Sequence, residues 1–115
     1  MVTWFESHRR SEKLASAAHT SLRIGDESSA QQLFAEAAIA EEEALRHIST
    51  DRPTTLGVIA LSASALWLNA KRVDDAARVA RLLLRIPALL PLAQKHLEGL
   101  NVDSIARREL REPVG

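Results

Sequence analysis

The side chains of this sequence best suited to proton transfer or metal binding near neutral pH are four histidines, His8, His19, His47 and His96. None has a glutamate three residues before it, so the Glu-x-x-His element of helical di-metal sites is missing. Glu43 and His47 are four apart and share a helix face. That spacing suits the start of a two-ligand site, but a surface ion pair is its commoner use. The sequence has no phosphate-cradling Gly-rich loop, no Gly-x-Ser-x-Gly and no His-Glu-x-x-His. It has no cysteine, which excludes disulfides and thiolate chemistry. The residues therefore imply no catalytic set, no metal site and no cofactor.

Three other features carry information. Glu41 falls inside the apolar arc of its helix, between Ile48 and Phe34 on a helical wheel. A carboxylate there needs a partner. The plain expectation is a local arginine or a bond to the N-terminus of the third helix, and the sharper one is a base brought by another protein. Arg78, Arg81 and Arg85 form a stripe preceded by Lys71 and Arg72. Without interleaved aromatics or a binding motif, the stripe reads as a solvated face or a face for an acidic protein partner, and not as a nucleic-acid surface. Thr55, Ser62 and Asn69 recur every seven residues as a polar, uncharged line. Exposed helix faces usually carry charge, so another helix or a partner is expected to cover this line.

The elements that must position these residues are helices. The chain has 115 residues, which suits one domain, 1–115. It holds 19 Ala and 17 Leu, both strong helix formers, and lacks the β-branched runs of strands. The expected helices run from about Phe5 to Ile24, Glu27 to Ile48, Thr54 to Ala70, Val73 to Ile86 and Leu89 to Glu98. A short charged one is expected within Val102–Arg111, in the tail 101–115. Gly25-Asp26 separates the first two helices, with Asp26 or Ser28 as cap; Asp51 or Thr50 is expected to cap the third. Ser7 and Ser11 lie on the inner side of the first helix and allow a neighbour to come close. Short connections imply antiparallel neighbours. The fold class is all-α, with hairpins 5–48 and 54–86 and a capping helix 89–98.

Net charge is zero, with −3 in residues 1–50 (eight acids, five bases) and +3 in residues 51–115 (seven acids, ten bases). No global field attracts nucleic acid or acidic lipid. Pro53 to Ala70 carries no charge but includes Thr54, Thr55, Gly57, Ser62, Ser64 and Asn69, too polar for a lone membrane span. The first residues turn charged at once, unlike a signal peptide, and the expected location is cytoplasmic.

Two stretches resemble the turn and second helix of a tetratricopeptide repeat. One is Gly25-Asp26-Glu27-Ser28-Ser29-Ala30-Gln31-Gln32-Leu33-Phe34-Ala35-Glu36-Ala37. The other is Lys71-Arg72-Val73-Asp74-Asp75-Ala76-Ala77-Arg78-Val79-Ala80-Arg81-Leu82-Leu83, closed by Pro87, with Lys71 where Gly is usual. Small residues let the second helix of each pair lie close to the first. The two turns stand 46 residues apart, longer than the family's interval, so the repeats are irregular. The resemblance implies a concave groove lined by the first helix of each pair. That places Glu12, Ser16, His19 and Arg23 beside Val58, Leu61, Ser62, Ala65 and Asn69. It implies a non-enzymatic module or small adaptor subunit that binds a protein segment, without the Lys/Asn clamp for a terminal carboxylate. The low repeat number points alternatively to a self-associating homodimer. A small-molecule or metal-binding bundle is the least favoured reading.

Overall fold

The computed structural model describes residues 3–49, 51–85, 91, 95 and 96, without the side chain of Leu83. Among the described residues the fold is all-helical. Four α-helices follow one another, α1 Trp4–Arg23, α2 Glu27–Arg46, α3 Pro53–Asn69 and α4 Val73–Ala80, and α4 continues into a 3-10 turn, Arg81–Arg85. The helices expected at 89–98 and within Val102–Arg111 lie outside the described residues, except that Pro91, Lys95 and His96 are helical.

Local chemistry explains most of the boundaries. Thr3 caps α1 in a reciprocal box: its Oγ1 accepts from Glu6 N at 3.2 Å, and Glu6 Oε2 accepts from Thr3 N at 3.4 Å. Asp26 caps α2 by accepting from Ser29 N at 3.1 Å. The cap expected for α3 is not used. Pro53 occupies the first helical turn, which makes Arg52 the cap residue, and Arg52 makes no side-chain cap bond. The fourth helix was expected to run unbroken to Ile86, but it tightens at Arg81. Pro87 has no N–H to give the Leu83 carbonyl, and a 3-10 turn is a common way to end such a helix.

The two turns that carry the repeat-like pattern have the same geometry. Gly25 sits at φ 83° and Lys71 at φ 64°, both in the left-handed region. Gly25 N donates to Leu22 O and Asp26 N to Ser21 O; Lys71 N donates to Leu68 O and Arg72 N to Trp67 O. Each is the paired bonding of a Schellman C-cap, built once with glycine and once with lysine.

Side-chain contacts set the helix order. His8 and Arg10 of α1 meet Glu41 and Glu43 near the end of α2, while His19 meets Phe34 near its start, so α1 and α2 run antiparallel. α3 packs on α2 and α4 on α3, whereas α1 and α3 scarcely touch. Ser7, Ser11 and Ala18 are buried on α1, as are Ala30, Ala37 and Ala44 on α2. These small side chains allow the close approach that the serines of α1 foreshadow. Phe34, Trp67 and Val79 fill the remaining space, each burial stabilising by about 1.5–3 kcal/mol. A smaller cluster of Ala44, Ile48 and Ile59 closes the far end. The apolar character of α3 suggests a helix enclosed on all sides, but Val58 is 60% exposed and Thr54, Ala65 and Asn69 are exposed with it. One strip of α3 is thus left open. No described helix is long and apolar enough to cross a membrane.

Candidate functional site

Glu41 is 1% exposed and joins three helices. Its Oε1 lies 2.8 Å from His8 Nδ1 on α1, and its Oε2 accepts from Ser62 Oγ on α3 at 2.6 Å. His8 Nε2 lies 3.2 Å from Glu12 Oε1. Ionised carboxylates only accept, so with both ionised each ring nitrogen of His8 donates to one of them. The expected partners of Glu41, an arginine or the start of the third helix, are replaced by an imidazole and a hydroxyl. The reason is register: α1 crosses α2 so that His8 reaches Glu41, while Arg10 takes Glu43. Glu43 is accordingly spent on Arg10 and is not paired with His47.

The next residue, Glu42, faces the other way and organises a second network. Its Oε2 accepts from Trp67 Nε1 at 2.7 Å, and Arg78 donates to both carboxylate oxygens at 2.8 and 2.9 Å. Arg78 also bonds Asp75, which pairs with Arg72, and Arg72 lies 5.2 Å from the Trp67 ring centroid. Burial works against ionisation of Glu42. The Arg78 and Trp67 hydrogen bonds, then the charges of Arg78 and Arg46, outweigh it and hold the carboxyl below its ordinary 4.5. Hydrogen bonding to Glu42 raises the Arg78 guanidinium. Of the arginine stripe, Arg78 is therefore engaged within the fold, while Arg81 and Arg85 are exposed.

Because α1 and α3 are tied through α2 and not to each other, a groove runs between them, with Glu41 beneath. Its two ends are depressions. One, of about 310 Å³, is lined by Trp4, Phe5, His8, Thr54, Thr55, Val58 and Ile59. The other, of about 260 Å³, is lined by Leu22, Glu27, Ala30, Gln31, Phe34, Asn69 and Lys71. From Phe5 to Leu22 the helix rises roughly 25 Å. The residues expected to line a groove distribute along it. Val58 stands in the first depression and Asn69 in the second. Ser62 and Glu12 flank the Glu41–His8 pair between them. His19 packs edge-on to Phe34 with centroids 5.0 Å apart, and Ser16 is exposed. Arg23 is also exposed, and it donates to Thr20 Oγ1.

Sequence reasoning did not place Trp4, Phe5, His8 and Thr54 in the groove. The available signal was the four-residue spacing of Trp4 and His8, which puts both on one side of α1.

One Ser–His contact has the wrong polarity for nucleophile activation. Ser64 Oγ donates to Ala76 O at 2.8 Å, so it accepts from His96 Nε2 at 2.9 Å and cannot pass that imidazole its proton. Burial pushes the His96 imidazole below its ordinary 6.5. Among the described residues, no three acidic or imidazole groups converge on a place for a metal ion. Comparison with family models, curated proteins and solved structures returned no match for this chain.

Proposed function

We propose that this chain is a non-enzymatic interaction module, a small adaptor subunit of tetratricopeptide-repeat type. In this reading it holds a segment of another protein in the groove between α1 and α3. The observation that carries the reading is the open strip of α3, where Thr54, Val58, Ala65 and Asn69 are exposed along a helix that bears no charge in 17 residues. A helix face left to water alone usually carries charge, whereas a face that receives a partner is depleted of it. The repeat assignment draws support from the matched left-handed turns at Gly25 and Lys71.

A photo-crosslinking residue at Ala65, with a control at Glu36 on the outer side of α2, tests the reading in cells. The expected result is a discrete protein adduct from Ala65 and none from Glu36. Equal labelling from both, or none from Ala65, would overturn it.

A second reading is a homodimer, favoured by the same strip because an uncharged face around Val58 is complementary to itself. Sedimentation equilibrium decides between the two: a monomer at micromolar concentration removes the dimer.

A further inference from the structure

His8 is the member of the Glu41 network that reaches water. It lies one turn before Glu12 on α1, and its side chain keeps 25% of its exposure against 65% for Glu12. Each ring nitrogen faces a carboxylate, Nδ1 at 2.8 Å from Glu41 Oε1 and Nε2 at 3.2 Å from Glu12 Oε1. The two acids differ in role. Glu41 is buried and its other oxygen is taken by Ser62 Oγ, so it holds the imidazole from behind. With Nδ1–H donated to Glu41, the neutral ring presents the lone pair of Nε2 outwards, beside Glu12. A carboxylate that holds one imidazole nitrogen and aims the other is the usual support of a metal-ligating histidine.

The spacing of the two outer donors fits as well. Zinc binds imidazole nitrogen and carboxylate oxygen at about 2.0–2.2 Å, which puts two tetrahedral ligands about 3.4 Å apart. Nε2 and Oε1 already stand at 3.2 Å, so a small rotation of Glu12 seats both on one ion. Charge favours a cation. Among the described residues neither Glu12 nor Glu41 has a lysine or arginine within ion-pair distance, and Arg10 is spent on Glu43. Two carboxylates on one imidazole leave negative charge uncompensated. One chain supplies only two donors, because no three acidic or imidazole groups converge on a metal position among the described residues. A closed zinc site takes four.

We infer that His8 and Glu12 form half of a zinc site, completed by the same two residues of a second copy of this chain. Phe5 is 52% exposed and Ser16 is exposed, so no described helix covers this face of α1. A two-fold axis through the ion brings two α1 helices together, each giving Nε2 of His8 and one oxygen of Glu12. Without the cation the same approach sets the Glu12 and Glu41 carboxylates of both copies against one another, so association depends on zinc. Glu41 is a positioning residue: it does not meet the ion but fixes the ring and its tautomer. The site does not depend on a protein segment lying in the α1–α3 groove.

The test titrates zinc chloride into the full chain, without a histidine tag, and reads heat of binding and sedimentation velocity at micromolar chain concentration. The expected result is saturable binding of one zinc per two chains, with a monomer that becomes a dimer on adding zinc and reverts with EDTA. Glu12→Gln changes an exposed side chain and should abolish both effects while leaving the circular dichroism spectrum and urea midpoint in place. Glu41→Gln should weaken zinc binding about 10–100-fold in the folded chain. A merely structural Glu41 would lower the urea midpoint and leave zinc affinity unaltered, which would overturn its positioning role. In ¹⁵N spectra of the imidazoles, zinc should shift His8 Nε2 while Nδ1 keeps its proton. No saturable binding, or equal binding by Glu12→Gln, would overturn the site. Zinc shifts at His19, His47 or His96 in place of His8 would overturn it too. One zinc per chain without association, or a dimer indifferent to EDTA, would overturn the sharing of the ion between two copies.

Discussion

Replacing Glu41 by alanine should cost about 2–4 kcal/mol. The carboxylate makes two short hydrogen bonds, to His8 at 2.8 Å and Ser62 at 2.6 Å. Bonds to a charged group contribute about 1.5–3 kcal/mol each, and breaking a fully buried pair costs about 3–5 kcal/mol. Two effects lower the figure here. The His8 side chain keeps 25% of its exposure and regains water when its partner goes, and the desolvation of Glu41 itself is relieved. Glu41→Gln keeps an acceptor for Ser62 and should cost less, about 1–2 kcal/mol. Glu41→Leu replaces the acid with an aliphatic side chain and should fall within about 1.5 kcal/mol of the parent. Urea unfolding followed by circular dichroism at 222 nm gives each value from the midpoint and slope. A double-mutant cycle with His8→Ala isolates the pair, with an expected coupling of about 1–2 kcal/mol. Coupling below about 0.3 kcal/mol would refute the reasoning, because no bridge from α1 through α2 would then exist.

Three further outcomes follow from single positions. Lys71→Gly should raise stability by about 1 kcal/mol, since Lys71 holds φ 64° where a side chain is disfavoured; a thermal melt should rise by roughly 4–8 °C, and a lower midpoint would contradict the left-handed cap. Ser7→Ala should stabilise by about 1 kcal/mol in urea, because the buried Ser7 Oγ has no partner among the described residues; a loss of stability would mean the hydroxyl is satisfied. Glu42 sits below its ordinary 4.5, so the unfolded chain takes up a proton first as pH falls, and the stability Glu42 confers is full above 4.5 and lost as pH drops through its folded value. Arg78→Met should flatten the fall in stability that sets in as pH drops through 4.5, and parallel profiles for the two proteins would rule out the Arg78–Glu42 coupling.

Short-range features were legible in the sequence. Gly25-Asp26 marks the first turn and its cap because both act within a few residues, and Ser7 and Ser11 signal a close helix approach because their size is the signal. Lys71 in the glycine position of the second turn was visible as a departure, but only its dihedral angle shows that the turn geometry is kept. The α3 cap was misplaced because Pro53 sets the helix start more firmly than the capping preference of Asp51. Glu41 was recognisable as a carboxylate needing a partner. That the partner is His8, 33 residues earlier, depends on how α1 crosses α2, which no local pattern encodes. The same holds for Glu42, whose bonds to Trp67 and Arg78 take one arginine out of a stripe that looked uniform. The resemblance placed Val58 on the groove side of α3, and the separation of α1 from α3 leaves it exposed.

The docking groove is tested most directly by Val58→Glu in a chain that carries the photo-crosslinker at Ala65. Val58 is 60% exposed, so a charge there should change stability by no more than about 0.5 kcal/mol in urea. The adduct formed from Ala65 should disappear, because the charge sits where the partner segment lies. An undiminished adduct in a folded Val58→Glu protein would contradict the account.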